Sequence, residues 1–130
     1  MNLFLRYKVW LENESGKPIV GEGRLKIFHE IRRTGSILKA AKALGLPYRN
    51  VWAKVKDAER QCGFKIVETT RHGSTLTHEG LELLHKYDCL QRSCSRSARE
   101  KFKKLFPADN DNSSEPTNEN DRGRPGSIEE

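Results

Sequence analysis

"GSILKAAKALGLPYRNVWAKV", residues Gly35 to Val55, decides the fold. Ser36 suits the cap of a helix whose buried stripe is Ile37, Ala40, Ala41 and Leu44. The small side chains of Ala40 and Ala41 let a second helix approach closely. Gly45 suits the left-handed residue that ends a helix, because glycine alone adopts it without steric cost. Pro47 then fits the first turn of a third helix, about residues 47–62, where its missing N–H would lack an intrahelical partner anyway. On that helix Val51, Val55, Ala58 and Cys62 fall within about 40 degrees of one another at roughly 100 degrees per residue, so they form the inward face. Arg49, Ala53, Lys56 and Arg60 lie opposite, flanked by Trp52. Two helices, a tight glycine turn and an outward basic face read as a helix-turn-helix.

Working outward, the period changes. Leu3, Leu5, Tyr7, Val9 and Leu11 alternate with Phe4, Arg6, Lys8, Trp10 and Glu12, which predicts one half-buried strand over Leu3–Glu12. Asn13-Glu14-Ser15-Gly16 is a turn cluster, and Lys17–Val20 is a short return strand. After Gly21-Glu22-Gly23, Leu25, Ile27, Phe28 and Ile31 mark an amphipathic helix that stops near Thr34-Gly35. Downstream, Phe64–Thr70 is a β-branched strand, Arg71-His72-Gly73 a turn and Ser74–Leu76 a return, giving a short wing over about residues 64–76. Thr77 caps a long last helix with the apolar arc Leu83, Leu84, Tyr87, Leu90, Cys94, Ala98, Phe102 and Leu105. The expected fold is mainly α with a small β component: a winged helix-turn-helix with an N-terminal strand or hairpin and a long C-terminal helix.

Charge and length divide the chain. Its 130 residues fit one domain over 1–106, while 107–130 reads as a disordered acidic tail too poor in aliphatic residues to fold. Of 24 Lys and Arg and 18 Asp and Glu, the tail holds two cations and seven acids, so residues 1–106 carry +11. A basic body suits a polyanion. The odd set Cys62, Cys89 and Cys94 has no C-x-x-C spacing, which excludes a disulfide framework or zinc ribbon and fits a reducing cytoplasm. No apolar run approaches a membrane span, and the N-terminus lacks the zones of a signal peptide. His29, His72, His78 and His85 are scattered and no catalytic, P-loop or Rossmann motif occurs, so neither an enzyme nor a cofactor or metal site is expected.

The partner these features imply is double-stranded DNA, with the third helix in the major groove. Arg49 pairs geometrically with guanine and Asn50 with adenine, while Lys56 and Arg60 suit phosphates. Tyr48 and Ala53 share the same presented surface. Ser36 and Lys39 start the second helix, whose N-terminus favours an anion. Trp52 is read chiefly as packing its ring on a neighbouring helix, with a sugar or thymine-methyl contact as the alternative. Arg71 and His72, at the wing tip, either lie on a flanking groove or form a solvated turn. A nonspecific architectural binder and a protein-interaction module on the same fold are the competing functions. The last helix's stripe is longer than the domain needs, so it is expected to form a homodimer, with help from the N-terminal strand, that reads an inverted repeat with half-sites about 34 Å apart.

The run "GEGRLKIFHEIRRTGSILKAAKALGLPYRNVWAKV" resembles the N-terminal DNA-binding domain of the ModE-type molybdate-dependent transcriptional regulators. Its landmarks are Gly21-Glu22-Gly23-Arg24, Gly35-Ser36-Ile37, Ala40-Ala41-Lys42, Leu44-Gly45 and Tyr48-Arg49, then Trp52, with "KVWLE" upstream and "VETT…LTHEGLELLHKYD" downstream. Ala40–Gly63 is similar, more distantly, to the LysR-type helix-turn-helix. The resemblance implies a dimeric bacterial transcription factor whose third helix reads DNA. Three departures stand out. The wing has only Arg71-His72-Gly73-Ser74-Thr75 where the family carries a long glycine-rich segment. Pro47 replaces the usual Ser, and no oxyanion-binding domain follows.

Overall fold

The computed structural model describes residues 2–107 and 117–118. Its elements run β1 (Arg6–Tyr7), β2 (Trp10–Glu12), β3 (Pro18–Gly21), α1 (Glu22–Thr34), α2 (Ile37–Leu44), α3 (Tyr48–Cys62), β4 (Val67–Thr70), β5 (Gly73–Leu76), α4 (His78–Leu105) and β6 (Thr117–Asn118). This is the expected winged helix-turn-helix, mainly helical, with two small antiparallel hairpins and a long last helix. One core unites it: Val20 from β3, Leu25, Ile27, Phe28 and Ile31 from α1, Ala40 and Ala41 from α2, Val51, Val55 and Ala58 from α3, and Leu84 and Tyr87 from α4 are all buried.

The turn between α2 and α3 closes as its sequence requires. Gly45 sits at φ 69°, the Leu46 N–H donates to Ala41 O at 2.9 Å and the Gly45 N–H to Lys42 O at 3.2 Å. That pair satisfies two carbonyls that a helix end otherwise leaves open. Pro47 differs from its predicted place. Its ψ of 139° makes it the extended N-cap of α3 rather than a first-turn residue, and its carbonyl accepts from the Asn50 N–H at 3.0 Å. No side chain caps this helix.

Two strand readings also change, each because a side chain takes a backbone group out of the ladder. The single strand expected over Leu3–Glu12 is two, since the Tyr87 hydroxyl donates to Val9 O at 2.9 Å between them. The inward alternation of Leu3, Leu5, Tyr7, Val9 and Leu11 survives the break. The β4 strand starts at Val67 rather than Phe64, because the Ile66 and Val67 N–H groups both donate to Glu59 Oε2, at 2.9 and 3.0 Å. The tail from 107 onward lies mostly outside the described residues. Within it, Thr117 and Asn118 pair in parallel with Arg6 and Tyr7, so those two residues form a strand where disorder was expected.

The wing is attached to the start of the helix-turn-helix. β4 and β5 pair from Val67↔Leu76 to Thr70↔Gly73, and the Ser74 N–H donates to Gly35 O at 2.8 Å. A Cβ added at Gly73, which has φ 127°, would stand 2.5 Å from Gly35 O. Gly73→Ala therefore combines backbone strain with a backbone clash and is expected to lower unfolding free energy in urea by about 2–3 kcal/mol. Gly16→Ala, also at positive φ but facing open space, is the comparison and should cost only about 1 kcal/mol.

Candidate nucleic-acid interface

The surface in question is the outer face of α3, together with the start of α2 and the tip of the wing. Ser36 caps α2 by accepting from the Lys39 N–H at 3.1 Å, leaving the Lys39 side chain exposed. On α3, Tyr48 (47% exposed), Arg49, Asn50, Trp52 and Ala53 face solvent in one patch around the helix's N-terminal half. Among the described residues Arg49 has no ion-pair partner. Arg71 and His72 are exposed at the hairpin tip, next to the Gly73 that touches Gly35. The wing tip and the N-terminus of α2 are thereby held close, although the sequence places them 35 residues apart.

Trp52 does not pack on a neighbouring helix as its spacing suggested. It is 45% exposed, and the Lys56 ammonium sits 5.8 Å from its ring centroid. The reason is angular: Val51 and Val55 fill the inward arc, so a ring about 100 degrees away stays on the flank.

The C-terminal half of α3 differs from the N-terminal half. Lys56 Nζ lies 3.5 Å from Glu59 Oε1, and Arg60 donates to Asp57 Oδ1 at 3.2 Å. Both carboxylates are fixed from elsewhere. Asp57 Oδ2 accepts from Arg24 at 2.7 Å, and Arg24 is only 4% exposed and also donates to the Pro18 and Ile19 carbonyls. Glu59 is held by the two backbone N–H groups at the base of the wing. Asn13 adds a tether at the far end of α3, donating to the Gln61 carbonyl at 3.2 Å and to its side-chain oxygen at 3.1 Å. Asp57 and Glu59 were not singled out by sequence, and Arg24 appeared there only within a family landmark. Arg24 lies 33 positions from Asp57, and the signal on α3 itself was two acids, Asp57 and Glu59, among its cations.

Among the described residues no group of three or more His, Cys, Asp or Glu could hold a metal ion. Cys89 Sγ lies 3.7 Å from His85 Nε2 on the exposed side of α4, and no third group of that kind joins them. No described helix is long and apolar enough to cross a membrane. Cys62, Cys89 and Cys94 are free. Burial raises the Cys62 thiol above its usual value.

Burial also pushes the Asp57 carboxyl up, but hydrogen bonds from Arg24, Gln61 and Arg60 outweigh it and bring the group below its usual value. A carboxyl lowered in the folded state adds stability that is complete above the unfolded value of about 3.9 and is lost as pH falls through the lower folded value. Wild-type unfolding free energy should therefore fall more steeply below about pH 4 than that of Asp57→Asn. Urea titrations at pH 2.5 to 6 check this, and parallel curves would count against it.

Residues 23–81 match the family model described as the bacterial regulatory helix-turn-helix protein, lysR family. The HTH-type transcriptional regulator YofA of Bacillus velezensis is 41% identical over 66 residues, which is 51% of this chain and 23% of that protein. The HTH-type transcriptional regulator TdcA of Escherichia coli K12 is 36% identical over 76 residues, 58% of this chain and 24% of that protein. The chain thus spans about a quarter of these relatives' length. Among solved structures, the CbnR DNA-binding domain in complex with DNA superposes with a TM-score of 0.54 at 22% identity, covering 65% of this chain and 98% of that one. At that identity the likeness speaks for the fold. None of these matches is a ModE-type regulator.

Proposed function

We propose that the protein is a cytoplasmic, sequence-specific double-stranded DNA binder acting as a dimeric bacterial transcriptional regulator, with α3 in the major groove. The observation that carries this is the open patch Tyr48, Arg49, Asn50, Trp52 and Ala53 on the second helix of a helix-turn-helix. The LysR-type match over residues 23–81 supports it, as do relatives that are themselves transcriptional regulators. Arg49 and Asn50 supply forked donors and acceptors for base edges. Lys39, the α2 N-terminus beside Ser36, and the adjacent wing tip with Arg71 and His72 supply phosphate contacts. The finer likeness to ModE-type regulators rests on the quoted landmarks alone and adds no effector, because it brings no oxyanion-binding residues with it.

The dimer reading rests on α4. Leu90, Cys94, Leu105 (61%) and Phe106 are exposed and Ala98 and Phe102 half-buried, so the arc runs on well past the last core residue, Tyr87. The Phe102 and Phe106 rings meet at a tilt of 41° with centroids 5.4 Å apart, extending this surface. The Tyr7 hydroxyl donates to Ser95 Oγ, placing the N-terminal strand beside the same stretch. A second copy's helix would cover the stripe and set the two α3 helices roughly 34 Å apart.

Selection on random duplex DNA near 0.15 M salt tests the function: an enriched inverted repeat is the expected product. Retention without enrichment would instead favour an architectural binder. On the selected site, Arg49→Ala should cost about 1–3 kcal/mol and relax preference at one position, whereas equal loss on every sequence would make Arg49 a phosphate contact. Sedimentation at micromolar concentration should give a dimer that Leu90→Glu weakens by at least roughly tenfold, a cost of about 1.4 kcal/mol. A wild-type monomer would contradict the dimer.

A further inference from the structure

The exposed ridge of α3 runs Arg49, Ala53, Lys56, Arg60, with Asp57 on one side and Glu59 on the other. Its cations are not equivalent. Lys56 and Arg60 each lean on a flanking carboxylate, and neither carboxylate is free to swing away. Glu59 is 10% exposed and its Oε2 is committed to the Ile66 and Val67 N–H groups, so its charge stays beside the ridge whether or not Lys56 does. A phosphate that drew Lys56 off would come to rest next to a fixed negative charge. Such like-charge placement discriminates against wrong geometries more than it strengthens right ones.

We propose that Glu59 is a specificity-determining residue: its anchored carboxylate keeps Lys56 off DNA phosphates and confines contact to the N-terminal half of α3. This rests on the DNA-binding reading and refines it. Phosphate contacts are sequence-blind, so a recognition helix with unopposed cations along its whole length would bind any duplex. Asp57 does the same for Arg60, held in turn by Arg24. The wing has a second part in this arrangement, since its backbone at Ile66 and Val67 is what immobilises the charge.

Glu59→Gln isolates the charge, because an amide oxygen still accepts from both N–H groups. The measurement is affinity for a selected and for an unselected duplex between 50 and 200 mM salt. One phosphate contact steepens the fall of log K with log salt by about 0.9, which over this fourfold salt range is about a 3.5-fold greater loss. Glu59→Gln is expected to gain that slope on unselected duplex and to narrow the ratio between the two duplexes. Glu79→Gln, which removes the same charge at the exposed first turn of α4, is expected to leave both unchanged. Lys56→Ala, a surface change that leaves the fold intact, is expected to leave the wild-type slope unchanged, since Lys56 makes no phosphate contact while Glu59 is present. The proposal is overturned if Glu59→Gln keeps the wild-type slope, or if Lys56→Ala lowers it by about 0.9. Wild-type protein that retains no duplex at 50 mM salt would overturn the underlying DNA-binding reading as well, so the two failures are told apart.

Discussion

The buried guanidinium of Arg24 is the constraint on which the placement of α3 depends. It comes from the first turn of α1, holds the Pro18 and Ile19 carbonyls of β3, and binds Asp57 on α3 at 2.7 Å. One group thereby ties α1, β3 and α3 together. Apolar packing is tolerant of small rotations, whereas a guanidinium fork fixes direction. Taking away one partner of a buried pair typically costs about 3–5 kcal/mol, and the partial exposure of Asp57 puts this pair at the low end. Its larger consequence is geometric. Rotating α3 about its axis would sweep Arg49 and Asn50 off the presented surface, and the Arg24–Asp57 pair opposes that rotation.

Much of this was legible in sequence, for identifiable reasons. Helix periodicity, the Gly45 turn and the Ser36 and Thr77 caps are local, and the structure keeps each, with Thr77 accepting from the Gly80 N–H at 3.0 Å. What escaped is non-local. The break after Tyr7 depends on a tyrosine 78 positions beyond Val9, and the late start of β4 depends on Glu59 reaching back. Within the site, exposure at Tyr48, Arg49, Asn50 and Ala53 followed from angle alone. Lys56 and Arg60 read as phosphate ligands because a helical wheel shows charge but not that each cation lies beside an anchored acid. Trp52 was misplaced for the converse reason: nothing in the spacing reveals that the core arc is already full.

The wing shows how a short segment can still matter. With five residues between Thr70 and Leu76, it cannot reach far along a groove. It is nonetheless joined at both ends to the helix-turn-helix, through Ser74 to Gly35 and through Ile66 and Val67 to Glu59. A hairpin so tethered fixes the start of α2 and the charge beside α3. The likeness to LysR-type domains covers this compact unit, whereas the N-terminal hairpin before residue 23 and the distal half of α4 lie outside the matched segment and belong to the assembly reading.

The central claim is that DNA meets the N-terminal half of α3. Amide chemical-shift mapping of the full chain on adding a duplex that it retains tests this residue by residue. The account predicts the largest changes at Ser36–Lys39 and Tyr48–Ala53, with smaller ones at Arg71 and His72. Changes centred on the basic distal half of α4, from Arg92 to Lys104, with α3 unmoved, would contradict it.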